Sequence, residues 1–217
     1  MGDITPSDRD EGHIDSLPAL EAMASARSVR NFTSEPVPEA ALRQLIWAAT
    51  RASSPNNVQP WSFVVVTEAS MKQKIAVQVQ KAYPAKAESQ LPKDPVERRN
   101  AASAARLISH FADVPALVFV CMIPYPRVNP NVEFMHSAVY SASQNMLVAA
   151  RSIGLGAAFT TLHKGSEDSI REILGLPHDV EIAITMPVGW PVKLPGPVVR
   201  NPIAEVMRMN HWNGQVQ

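Results

Sequence analysis

Apolar positions along the chain fall into two periods, and the switches between them mark out the predicted elements. Leu42, Leu45, Ile46 and Ala49 recur at helical spacing with Glu39 in a favourable first turn, so residues 39–52 are predicted as an amphipathic helix. Residues 62–67 lose that spacing and read as a buried strand, and residues 116–123 do the same. Between these strands lie two predicted helices, 69–83 and 96–111. The longest periodic stretch carries Met135, Ala138, Val139, Ala142, Met146, Ala149, Ala150 and Ile153 on one helical face. Its second half, 146–150, is apolar all round, as suits burial in a core or between subunits. Gln144 and Asn145 interrupt it, and local hydrogen bonds are their expected fate. A third strand at 157–162, a short helix capped by Ser166 and ended by Gly175, and a fourth strand at 180–188 complete the pattern. A short helix at 19–25 precedes it. This order predicts one sheet flanked by helices, α+β or α/β.

The polar stretches fix the boundaries. Residues 1–18 mix acids, Ser, Pro and Gly with few large apolar groups, which predicts a flexible tail. Residues 19–217 are expected to form a single domain. An exposed excursion at about 81–99, rich in Pro, Lys and acids, is placed to border a pocket. Residues 193–200 read as irregular and proline-rich. In the tail that follows, Met207 and Trp212 are candidate anchors.

Twenty basic and twenty acidic side chains give a net charge of zero, which removes the long-range field of a nucleic-acid binder. Any anion must therefore be met locally. No apolar run approaches the roughly 18 residues of a membrane span. The single cysteine, Cys121, lies in an apolar strand and is expected to be packing rather than a nucleophile. One buried thiol suits a cytoplasmic protein.

Familiar catalytic signatures do not occur. Gly154-Leu155-Gly156 follows a helix and precedes a strand, the reverse of a dinucleotide-binding turn. The six histidines form no close ligand pair, so no metal is expected. Without an acid, base or nucleophile set, the chemistry belongs to a bound cofactor or the protein is not an enzyme. Local anion chemistry is present instead: Arg27, Ser28 and Arg30 put two cations and a hydroxyl within a few residues, Ser54 and Asn57 lie in a second polar loop, and Arg200 stands alone in an apolar stretch.

Several of these stretches together resemble the FMN-dependent nitroreductases: Arg27-Ser28-Val29-Arg30-x-Phe32, Pro36-Val37-Pro38, Ser54-x-x-Asn57-x-Gln59-Pro60-Trp61-x-Phe63, Gln144-Asn145-x-Leu147, Gly154-Leu155-Gly156, Gly189-Trp190-Pro191 and Arg200. The resemblance implies an α+β fold with a central mixed, mostly antiparallel sheet flanked by helices, in an intertwined homodimer with FMN at the subunit interface. It implies that Arg27, Ser28 and Arg200 meet the phosphate and ribityl, and that Arg30 lies near the ring edge. Ser54, Pro55 and Asn57 would reach the flavin of the other subunit, and Thr160, Thr161 and Leu162 would line the ring with a backbone N–H at the reactive nitrogen. Ala26 stands where many members carry a basic residue, and Ser53-Ser54 where many carry Pro-Ser. The activity implied is reduction of FMN by NADPH or NADH as transient donor, then of a nitroaromatic or quinone-like acceptor in ping-pong fashion. Reductive dehalogenation, ene reduction, flavin fragmentation and flavin holding without turnover are the alternatives.

Overall fold

A computed structural model describes residues 16–85, 90–125 and 132–214. Its framework is a four-stranded sheet in the order β1-β2-β4-β3. The strands are β1 (Trp61–Val66), β2 (Ala116–Met122), β3 (Gly156–Ala157) and β4 (Glu181–Gly189). Every pairing is antiparallel, where a mixed sheet is expected from the resemblance; among the described residues no parallel strand occurs.

Side chains on a strand alternate between faces, and β2 is apolar at every position because both faces are covered. Ala116, Val118 and Val120 face one core together with α2 (Glu39–Ala49) and α5 (Val132–Ser152). Leu117, Phe119 and Cys121 face a second core together with α3 (Ala69–Ala82), α4 (Pro95–Ser109) and α6 (Glu167–Leu174). The antiparallel sheet makes the fold α+β, with helices on both faces. Between Cys121 opposite Ile182 and Val120 opposite Ile184, β4 carries one extra residue, Ala183. This bulge adjusts the register, with Ile184, Met186 and Val188 in the α2 and α5 core and Ile182 in the other.

Helix α5 buries Met135, Ala138, Val139, Ala142, Met146 and Ala150, the predicted face, and its alanines allow close packing on the sheet. Asn145 Nδ2 donates to the Ala48 carbonyl of α2 at 3.2 Å, the local bond expected of it, whereas Gln144 is exposed. Cys121 is fully buried and burial pushes its thiol up to about 11, so it is packing as expected.

Other expectations need correction. The predicted third strand shrinks to two residues plus an isolated bridge from Thr160 to Thr185, and Leu162–Ser166 coil into a short 3-10 helix. Ser166 stands at the N-cap of α6, yet its hydroxyl donates to the Gln78 carbonyl at 2.9 Å and caps nothing. Trp212, a candidate anchor, is 84% exposed in the single chain, and Met207 is 42% exposed. Of the expected tail 1–18, residues 1–15 lie outside the described ones. Leu17 N–H donates to the Ser152 carbonyl at 2.8 Å, which leads the chain into α1 (Ala19–Ser25). Within the excursion 81–99, α3 ends at Ala82 and α4 starts at Pro95, with the Asp94 carboxylate accepting from the Val96 and Glu97 amides; residues 86–89 lie outside the described ones.

Candidate functional site

The segment 27–33 runs along one edge of the sheet. Val29 N–H donates to the Ala157 carbonyl at 2.9 Å, Thr33 N–H to Trp190 at 2.8 Å, and Val192 N–H to Asn31 at 3.2 Å. Two motif glycines make this possible. A Cβ on Gly156 would lie 2.7–2.8 Å from the Val29 side chain, and one on Gly189 would lie 2.8 Å from Pro115 and 3.1 Å from Phe32. Gly154, at φ +83°, supplies the helix end that the sequence reading gave to the whole Gly-Leu-Gly motif. With Val29 buried against the sheet, Ser28 and Arg27 are exposed and Arg30 is half-buried.

Burial lowers the pKa of Arg30, and no acid pairs with it among the described residues. A half-buried cation without a counter-charge is costly unless an anion or polar ligand meets it. Arg30 lines a cleft of about 290 Å³ with Asn31, Thr33, Ser34, Arg106 and His110. There Arg106 Nε donates to Asn31 Oδ1 at 3.1 Å, while His110 Nδ1 lies 3.0 Å from Asp113 Oδ2. The far wall is held by Lys72, whose buried Nζ donates to the Val114 carbonyl at 2.7 Å. Arg106, a second cation in the cleft, was missed in the sequence: it lies 75 residues from Asn31, on the exposed side of a helix with nothing in its spacing to mark it.

The same edge carries Thr160, Thr161 and Leu162, which follow Ala157 closely in the chain. Thr160 exchanges backbone hydrogen bonds with Thr185 at 3.1 and 3.0 Å, and its hydroxyl donates to the Thr185 carbonyl at 2.8 Å. The next three backbone N–H groups, of Thr161, Leu162 and His163, donate to no acceptor among the described residues. They open a 3-10 helix, where unpaired donors are the rule; Thr161 is exposed and Leu162 half-buried, so their two N–H groups are open to a ligand, whereas His163 is fully buried. Arg200 reaches the same end of the molecule, because Val198 N–H donates to the Ala24 carbonyl at 2.9 Å, three residues before Arg27. Its exposed guanidinium donates only to the Val199 carbonyl among the described residues.

Ser54, Pro55 and Asn57 are not brought to this edge by their backbone bonds, which stay within the loop: Asn57 N–H donates to the Ser54 carbonyl at 3.1 Å and Val58 N–H to Pro55 at 3.0 Å. The loop is tightly built. Pro55–Asn57 form a one-turn 3-10 helix, Ser54 Oγ accepts from Gln59 N–H at 3.2 Å, and φ is +49°, +55° and +54° at Asn56, Asn57 and Gln59. Three left-handed non-glycine residues so close together are backbone strain of the kind found at binding sites. Among the described residues no group of His, Cys, Asp and Glu could hold a metal ion, and no helix is long and apolar enough to cross a membrane.

The model of the nitroreductase family matches residues 23–190, the stretch that holds the sheet, both cores and the edge segment. The chain belongs to the nitroreductase family. Nitroreductases of known activity are among its relatives: it is 26% identical to the oxygen-insensitive NADPH nitroreductase of Salmonella typhimurium, over 90% of this chain and 75% of that one. Two solved structures share the nitroreductase fold. The NADPH:FMN oxidoreductase of Vibrio harveyi, complexed with NAD+, superposes with a TM-score of 0.67 at 22% identity, covering 90% of this chain and 78% of the other. An iodotyrosine deiodinase bound to FMN and 3-iodo-L-tyrosine superposes with a TM-score of 0.68 at 19% identity, covering 90% of this chain and all of the other. The expected family and fold class are thereby borne out.

Proposed function

We propose that this nitroreductase-family chain is an FMN-dependent oxidoreductase in which NADPH or NADH and an aromatic acceptor use one pocket in turn. The observation that carries the reading is Arg30, half-buried on the sheet edge with no acid partner among the described residues and on the same edge as the two open backbone donors of Thr161 and Leu162. The donor set fits the flavin: Arg27, Ser28 and Arg200 are exposed cations and a hydroxyl for a phosphate and ribityl, and the amides of residues 161 and 162 suit ring acceptors. When bound, FMN supplies the two-electron chemistry, passing reducing equivalents from the nicotinamide donor to the acceptor. The chain's own part is to bind, orient and stabilise. Arg30, with Arg106 in the same cleft, favours the ring form carrying negative charge. Residues 160–162 hold the ring side, and Lys72 keeps the cleft wall in place.

The proposal places Ser54, Pro55 and Asn57 at the flavin of a second copy in an intertwined homodimer, with 19–217 forming one FMN-binding unit and segment 81–99 bordering the pocket. Support comes from apolar surface that a single chain leaves open. Trp47 and Tyr140 lie on α2 and α5, and Ile203, Val206 and Trp212 follow at the C-terminal end. The strand β1 is a sheet edge beside a groove of about 710 Å³ lined by Val37, Leu42, Ile46 and Val65. A buried single thiol fits a cytoplasmic setting.

Nitroaromatics and quinone-like compounds are the proposed acceptors. The likeness to the deiodinase makes a halogenated phenol the alternative. The test is the visible spectrum of the purified protein during anaerobic addition of NADPH, followed by 4-nitrobenzoate or 3-iodotyrosine. Bleaching followed by reoxidation with the nitro compound is the expected result, and recovery only with the iodinated one would favour the alternative. Protein that takes up no FMN ends the reading, and yellow protein that NADPH leaves unbleached assigns it to flavin holding. A stable FMN-containing monomer in sedimentation would remove the shared site.

A further inference from the structure

The short span 161–162 is fixed at both of its ends by one residue of β4. At its start, Thr160 is held by the backbone of Thr185 through three hydrogen bonds of 2.8–3.1 Å. At its end, His163 Nδ1 lies 2.8 Å from the Thr185 hydroxyl. Both partners are out of water, His163 at 0% and Thr185 at 1% exposure. Of the neighbouring groups, the Lys164 amide bonds locally to Thr161, its half-exposed Nζ lies 3.7 Å from Glu181 Oε1 at the start of β4, and Ser166 reaches α3 instead.

A buried imidazole is an expensive way to fill a core position, since a phenyl ring would pack without the cost of desolvating two ring nitrogens. Its Nε2 finds no hydrogen bond among the described residues, so packing and solvation do not account for the choice of residue. What the imidazole adds over a phenyl ring is a directional bond to Thr185, beside a polar contact with the Ile182 carbonyl on the same strand. That bond sets the rotation of the His163 backbone relative to β4, and hence the orientation of the N–H groups at residues 161 and 162. In the segment 27–33, by contrast, backbone bonds and close glycine contacts do this work, and the one side-chain pair, Arg106 with Asn31, is exposed.

We propose that His163 and Thr185 form a positioning pair that fixes the backbone donors of residues 161 and 162. The functional part of this inference rests on the FMN reading above. His163 touches no ligand itself; it acts through the backbone on either side.

Three variants separate positioning from packing: Thr185→Val, His163→Phe and the two combined. Each single change leaves one buried polar atom without its partner, so each lowers the melting temperature. The double change removes both polar atoms and recovers most of that loss. Positioning does not recover with it. Two readouts follow the backbone donors. In the cofactor-free protein, amide hydrogen exchange at Thr160, Lys164 and Thr185, the hydrogen-bonded amides that flank these donors, is expected to rise about tenfold in all three variants, the factor that one net hydrogen bond of about 1.4 kcal/mol represents, while β2 amides stay protected. In the FMN-loaded protein, flavin affinity is expected to fall about tenfold in all three, the double variant included. Exchange and affinity that recover together with melting temperature, or that never change, overturn the proposal. Should the wild type bind no FMN, the functional reading fails on its own, and the exchange data still decide whether the pair positions the backbone.

Discussion

Substituting Gly156 by Ala tests whether the anion-binding edge depends on backbone contact with the sheet. The new methyl would sit 2.7 Å from Val29 Cβ and 2.8 Å from each of its two methyl carbons, against an ordinary contact range that starts at 3.4 Å. Val29 cannot yield easily. It is β-branched, 8% exposed, and its N–H is held by Ala157 at 2.9 Å. The edge segment must therefore lift by several tenths of an ångström. Overpacking of this kind costs about 1–3 kcal/mol, which for a chain of this size lowers Tm by roughly 2–10 °C. The lift also carries Ser28 and Arg30 off position, so FMN affinity measured by fluorescence quenching should fall at least about tenfold. Val29→Ala removes two of the three close contacts, so Gly156→Ala should cost less in that background than in the wild type. A Gly156→Ala protein with unchanged Tm and FMN affinity, or additive effects of the two changes, would refute the account.

Three further outcomes are expected. Burial, with Lys164 adding to it and Glu167 and the Ile182 carbonyl opposing, lowers the His163 pKa from 6.5 to about 4. The unfolded chain then binds the proton more readily than the native one, so this group's share of stability is full above pH 6.5 and is lost toward pH 4, at up to about 1.4 kcal/mol per pH unit; melts between pH 7 and 4.5 should fall more steeply for wild type than for His163→Phe, and parallel curves would contradict it. Lys72→Met strands the Val114 carbonyl and should cost about 1–3 kcal/mol in urea melts, with an unchanged midpoint counting against the buried bond. Arg30→Ala should slow flavin reduction by NADPH more than Arg106→Ala does, because Arg30 has no acceptor among the described residues while Arg106 is partly engaged by Asn31; stopped-flow rates of equal size would remove that ranking.

Periodicity located helices α2 to α6 to within a few residues because their apolar faces meet a core, whereas the short helix Ile203–Val206, which buries no residue, was read as tail. Strands β1, β2 and β4 were legible for a related reason: covered on both faces, or nearly so, they are runs of apolar residues. The third strand was not legible beyond two residues. Its apolar composition continues past Ala157, but the chain leaves the sheet after Thr160, a tertiary event that local pattern does not record. Ser166 misled for a different reason, since its hydroxyl is used by α3 and not by its own helix. At the proposed site, the bonds of Val29 to Ala157 and of Thr160 to Thr185 set residues 27–30 and 160–162 along β3 and β4, and Val198, two residues before Arg200, bonds to Ala24. Arg106, His163 and Thr185 carried no signal, because each acquires its role from a residue distant in sequence.

The left-handed run at Asn56, Asn57 and Gln59 has a consequence for how tightly the loop is specified. Glycine would adopt these angles without strain, and it would also give the unfolded chain many more conformations to lose. Using Asn and Gln instead charges the cost of ordering to the folding of the protein. A ligand that later meets Ser54 or Asn57 finds the loop already in shape, and none of its binding energy is spent on freezing a flexible backbone. Substituting glycine there would relax the loop and weaken binding at the same time, so comfort and affinity in this loop run in opposite directions.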